Sequence, residues 1–164
     1  MKKNVFFYLF AFLFLFSCSN QNPSVDEIVK EIDNTDARVE VVDFPCASVE
    51  YSFDGDEVIM IFAHTGMGDG GTDTKYYLKD NKLVYCYVNV FYMVVNETNS
   101  EQIEMEEVVD EYTFYFENGT CTKSTKNNEV IDIDKNDFTP QELIDDAIKI
   151  LELYGDTENE YFCG

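Results

Sequence analysis

The chain has one histidine, no tryptophan, and eleven lysines and arginines against 33 acidic residues. Each shortage closes a class of function. With His64 as the sole histidine, no metal cluster built on several imidazoles can be assembled. A formal net charge of −22 repels nucleic acid and anionic membrane surfaces, so neither is expected as a partner through charge. The lack of tryptophan counts against a sugar-stacking platform. No C-x-x-C spacing occurs, which removes the zinc ribbon and the thioredoxin-type dithiol. No G-x-S-x-G occurs either, so the nucleophile elbow of a hydrolase has no counterpart. The longest uncharged apolar run, Val5 to Phe16, falls short of the roughly 20 residues needed to span a bilayer as a helix.

That run follows Lys2 and Lys3 and ends in Leu15-Phe16-Ser17-Cys18. A basic start, an apolar core and a small residue before the cut describe a secretory signal. The last four residues resemble the lipobox of bacterial lipoproteins. The resemblance implies that the Cys18 thiol receives a diacylglyceryl group and that the chain is cut before it. It covers the first 18 residues only. An ordinary secretory signal with a chance cysteine is the alternative. Ser19 to Pro23 then reads as a short polar tether. Ser19, rather than Asp, follows Cys18, so the expected location is the cell envelope, anchored to the outer membrane. Removing residues 1–17 takes away two lysines and no acid, leaving the mature chain more acidic still.

Beyond the tether, residues 24–164 have the length of one domain with a real core. Acid residues are spread among many aromatics, which argues for folding rather than disorder. Ser24 with Glu27 forms a capping box, followed by an apolar stripe at Val25, Ile28, Val29 and Ile32, predicting a helix over 25–34. Strand patterning covers 47–53, 58–63, 75–78, 83–95, 108–116, 120–124 and 130–133, punctuated by Asp54-Gly55, Asp80-Asn81, Asn118-Gly119 and Asn127-Asn128. A second capping box, Thr139 with Glu142 and Pro140 at the first helical position, opens a C-terminal helix. Its predicted buried stripe is Leu143, Ala147, Ile148, Leu151 and Tyr154, with Gly155 at its end. The fold class is α+β: an antiparallel meandering sheet of about five to eight strands with a helix at each end of the chain.

Cys46, Cys86, Cys121 and Cys163 are even in number, which in an exported chain suggests two disulfides with three possible pairings. Free buried thiols are the alternative, with Cys86 placed mid-strand. Gly66, Gly68 and Gly71 spell G-x-G-x-x-G, but a strand rather than a helix follows, and Asp69 and Asp73 would meet the phosphates. Gly66, Met67, Gly68, Asp69, Gly70 and Gly71 are instead expected as a flexible hairpin loop able to touch a partner. Asp132, Asp134 and Asn136 match the first half of an EF-hand loop. The match then fails, because Asp137 stands where glycine is needed and Leu143 where glutamate is needed. Tyr76, Tyr77, Tyr85, Tyr87 and Tyr92 crowd one hairpin, chiefly as core and cross-strand packing.

These readings converge on a membrane-tethered, non-enzymatic lipoprotein of the bacterial envelope with a binding or assembly role and no cofactor. Its expected partners are the lipid bilayer through acylated Cys18 and an envelope protein or a cationic protein. The rival is an acidic inhibitor or decoy of a cationic protein such as lysozyme. A calcium-binding domain at Asp132, Asp134 and Asn136, or a hydrolase using His64 with Asp69 or Asp73, is the third reading.

Overall fold

The computed structural model describes residues 23–67, 70–99, 102–133 and 137–163. Helix α1 (Val25–Asp33) is followed by eight strands, β1 (Arg38–Phe44), β2 (Ala47–Asp54), β3 (Glu57–Met67), β4 (Gly70–Lys79), β5 (Lys82–Asn99), β6 (Gln102–Glu117), β7 (Thr120–Lys126) and β8 (Glu129–Val130). Helix α2 (Pro140–Glu152) closes the domain. The strands form one antiparallel sheet in sequence order, each paired with its neighbours in the chain. The α+β meander is as the sequence predicts.

Turn chemistry explains this simple order. Asp80 and Asn81, Asn118 and Gly119, and Asn127 and Asn128 all take positive φ, between 50° and 78°. Two-residue turns of that hand match the twist of the strands they join, and Asn, Asp and Gly tolerate it best. Both helices start as predicted. Ser24 accepts from the Glu27 backbone while Glu27 accepts from the Ser24 backbone at 2.8 Å. Thr139 and Glu142 repeat the arrangement at 3.0 Å.

The sheet has two different faces. On one, Tyr51, Ile61, Tyr76, Cys86 and Phe114 stand in a cross-strand row, every one of them buried. Helix α2 lies over this row, and the Tyr51 hydroxyl donates to the Ile150 carbonyl at 2.9 Å. The residues α2 buries are Leu143, Ala147 and Ile150, with Leu153 beyond its end. This corrects the predicted stripe. Ile148 and Tyr154 are exposed, and Leu151 is only partly buried. The helix is rotated so that its 143–147–150 line faces the aromatic row, and each large aliphatic side chain buried there contributes about 1.5–3 kcal/mol.

On the opposite face α1 covers a second row, Tyr77, Tyr85 and Tyr115, whose rings meet edge-on at 5.4 Å and 5.1 Å. The Tyr77 hydroxyl donates to Asp33 at 3.0 Å. Being only nine residues long, α1 leaves the rest of this face open.

After Gly155 the chain folds back along α2. Tyr161 donates to Asp146, the Phe162 ring packs 5.1 Å from that of Phe44, and Cys163 is bonded to Cys46 with the Cα atoms 5.2 Å apart. The second expected bridge is not formed: Cys86 is a buried free thiol and Cys121 a partly buried one. Strand β6 lies between the strands that carry them. That puts two inter-strand steps, about 9.6 Å, between two groups that must come within about 7 Å to be joined. Two further expectations are corrected. Arg38–Phe44, to which the sequence reading assigns no element, is strand β1, and the strand expected at 130–133 is the two-residue β8.

Burial pushes the Tyr51 hydroxyl up to about 12, and Tyr76, Tyr77, Tyr85 and Tyr161 are raised for the same first cause. A tyrosine whose pKa is higher folded than unfolded stabilises fully below its unfolded value of 10.0 and loses that contribution as pH rises toward the folded value. The domain is therefore predicted to unfold cooperatively above pH 10, with tyrosine ionisation and loss of near-ultraviolet circular dichroism coinciding. Independent ionisation of all tyrosines near pH 10 with the fold retained would contradict it.

Candidate functional site

The turns at 55–56, 80–81 and 118–119 lie at one end of the sheet, and Pro23, the first described residue, borders a depression there with Lys82, Leu83 and Gly119. The β1–β2, β3–β4 and β5–β6 connections lie at the other end, by the alternation of an antiparallel meander. This distal end gathers the Cys46–Cys163 bridge, His64, the glycine segment and an extension of β5 and β6.

The glycine segment is strand where a loop was expected. Gly66 pairs with Gly71 and Met67 with Gly70, and the intervening Gly68 and Asp69 lie outside the described residues. Close packing demands these glycines. A Cβ on Gly71 would stand 2.4 Å from the Thr65 carbonyl oxygen, 2.7 Å from the Phe91 ring and 2.8 Å from the Gly66 Cα. Gly70 pairs with Tyr92 and Gly71 with Phe91, so the Phe91 ring lies on a floor with no side chains. An aromatic ring covering a bare glycine stretch is a known means of holding such strands in register.

His64 pairs in register with Ser48 on one side and Asp73 on the other. Its Nδ1 is 2.5 Å from Asp73 Oδ1, and its ring stacks on Phe91 with the centroids 6.1 Å apart. Ser48, His64 and Asp73 supply the residue types of a nucleophile, a base and an orienting carboxylate. The Ser48 hydroxyl, however, donates to Asp43 at 3.0 Å, so the bond that would activate it is directed elsewhere. Ser48 and His64 border a shallow depression of about 340 Å³ beside Cys46 and Gly66. Further along the row, Asn89 sits between Asp73 and Glu111, its Oδ1 enclosed without a hydrogen-bond partner.

Of the calcium candidates, Asp132 is exposed at the surface, and Asp134 and Asn136 lie outside the described residues. Asp137 accepts a hydrogen bond from the Tyr112 hydroxyl at 2.6 Å. Among the described residues no three His, Cys, Asp or Glu side chains stand close enough to share a metal ion. Cys86 is enclosed on the core face, and burial pushes its thiol well above its ordinary pKa, so it offers no nucleophile. The lipidation candidate Cys18 lies outside the described residues.

The feature that sequence reasoning missed is the reach of β5 and β6. Strand β4 stops pairing at Tyr92 and β7 at Tyr112, yet β5 and β6 stay paired to Asn99 and Gln102. A two-stranded arm therefore continues about 23 Å past the sheet, seven residues at roughly 3.3 Å each. At its base Tyr92, Met93 and Val109 are each about 40% exposed. The signal was present in the charges: from Leu83 through Thr122 there is no lysine or arginine, and there are eight acidic residues.

Gly71→Ala is predicted to destabilise the domain by about 1–3 kcal/mol, the usual range for overpacking, because backbone and ring must both move. Gly55→Ala, with open space around its Cβ but a φ of +61°, should lose only about 1 kcal/mol. Chemical denaturation of the two variants compares them, and a milder effect at Gly71 would refute the packing account. Comparison with protein-family models, curated proteins and solved structures finds no match for this chain.

Proposed function

We propose that this protein is a lipid-anchored, non-enzymatic binding component of the bacterial cell envelope. Cys18 holds it to the outer membrane, and the distal end of the sheet meets a partner. The observation that carries this reading is the placement of the two ends. Pro23 lies at one end of the sheet, and the open arm and the His64 face lie at the other. The five residues from Ser19 to Pro23 reach at most about 17 Å, so the tethered end stays near the bilayer and the distal end faces away from it.

Two further features support the reading. The Cys46–Cys163 bridge closes a separation of 117 residues, and structural disulfides belong to oxidising, exported compartments. The Ser48 hydroxyl is engaged by Asp43 rather than by His64, which favours binding over hydrolysis. The second reading, an acidic inhibitor of a cationic protein such as lysozyme, is favoured by the basic-residue-free stretch that makes the arm.

The test is a thiol count and an intact mass on the full-length product extracted from membranes with detergent. Alkylation in denaturant without reductant should modify two cysteines, Cys86 and Cys121, because Cys18 is occupied by lipid. The mass should equal residues 18–164 plus acyl groups. A third alkylated cysteine, or retention of residues 1–17, would overturn the tether.

A further inference from the structure

The arm leaves two strand edges open. From Met93 to Asn99, β5 has no β4 beside it, and from Gln102 to Asp110, β6 has no β7 beside it. The direction of the β6 backbone groups follows from Glu111. Its N–H donates to the Asn127 side chain at 2.8 Å, and its carbonyl accepts from the Asn127 N–H at 2.8 Å, so both point away from β5. Backbone groups alternate sides along a strand, and the β5–β6 register is unbroken from Tyr115 to Ile103. Val109, Glu107, Met105 and Ile103 therefore also present their N–H and C=O outward on this edge. Asn127 caps the first position of the free edge, and among the described residues no strand pairs with the next ones.

Open edges recruit other strands, and folded proteins normally blunt them with charge. Here the charge has one sign only. Tyr92 to Glu111 carries seven acidic residues and no basic one. The single lysine near the base, Lys126, is held 3.0 Å from Asp110 and holds that carboxyl below its ordinary range. A second copy of this chain would bring the same acids to the same edge, so self-pairing is repelled. An extended strand rich in lysine or arginine meets the opposite condition. Its backbone completes the edge from Glu107 to Val109, a basic side chain opposes Glu107, and an apolar side chain two residues along it reaches the exposed Val109 and Met93 on the same face. A third strand would also firm up a two-stranded ribbon, which on its own is marginally stable in water.

We infer that the β6 edge of the arm, centred on Glu107 and Val109, is a docking site for a basic, extended segment of a partner protein, which binds by adding a strand. This rests on the reading of the protein as an envelope binding component and names the chemistry of its partner.

The experiment is hydrogen–deuterium exchange on the full-length chain in detergent, with a peptide repeating lysine-threonine-valine-threonine, which sets lysine and valine on one face of a strand, as the probe and its glutamate counterpart as control. The lysine peptide should slow exchange within 102–111, more weakly as salt is raised, and the glutamate peptide should leave it unchanged. Glu107→Pro removes one outward N–H while sparing the β5 ladder, and should abolish protection with circular dichroism unaltered. The triple change E104Q/E106Q/E107Q should weaken binding about tenfold, the effect of losing roughly 1.4 kcal/mol of rim electrostatics. Protection at the open face around His64 instead of the arm, equal binding of both peptides, or protection without peptide from self-association would each overturn the proposal. So would no binding at all. The tether is judged separately by the thiol count: a chain with three free thiols whose arm still takes the lysine peptide would remove the anchor and leave the docking site standing.

Discussion

Everything else in this domain depends on how α2 seats on the sheet. Tyr51, Ile61, Tyr76, Cys86 and Phe114 present a flat, fully enclosed aromatic and aliphatic row, and the Tyr51 hydroxyl reaches through it to the Ile150 carbonyl. That bond fixes both the axial position of the helix and its rotation, which is why Ile148 faces solvent while Ile150 does not. The returning tail then has one path, past Asp146 to Phe44, and the Cys46–Cys163 bridge latches it. In a chain-entropy account a bridge over about 100 residues is worth about 4.7 kcal/mol. For a domain whose net stability is of order 5–15 kcal/mol, that is a large share.

Because one face is closed so completely, the other can stay open. Helix α1 shelters only the tyrosine row near the Pro23 end, and the distal face displays His64, Asp73, Asn89 and Glu111 in one cross-strand line. The glycines at 66, 70 and 71 serve the same end of the molecule. They let β4 press against β5, so that Phe91 can lie flat where the arm departs.

Much of this architecture was legible in local signals. The capping boxes at Ser24 and Thr139, the Asn-Gly and Asp-Asn turns, and the alternating runs from Val108 to Phe116 each act over a few residues. The structure realises all of them. Strand β1 was harder to see. Its valines at 39 and 41 face solvent, so its alternation marks an edge strand with little buried surface. The rotation of α2 was ambiguous because its apolar residues cover two adjacent stripes, and only the tertiary row beneath selects one. The glycine segment was taken for a loop because glycine marks flexibility in sequence. Here it marks close approach of backbone and ring, which depends on Phe91, twenty residues further along the chain. Disulfide pairing was undetermined for a related reason, since the intervening β6 separates Cys86 from Cys121 only once the sheet order is known.

The open edge of the arm is the claim on which the functional account turns, and residue-resolved amide exchange of the full-length chain without any partner tests it most directly. The account predicts alternation along β6. Val108 and Asp110, bonded to β5, should exchange slowly, and Glu107 and Val109, facing water, should exchange fast, while Tyr51, Ile61 and Phe114 stay the slowest in the molecule. Uniform protection from Glu107 to Asp110 would mean that the edge is already covered, and would contradict it.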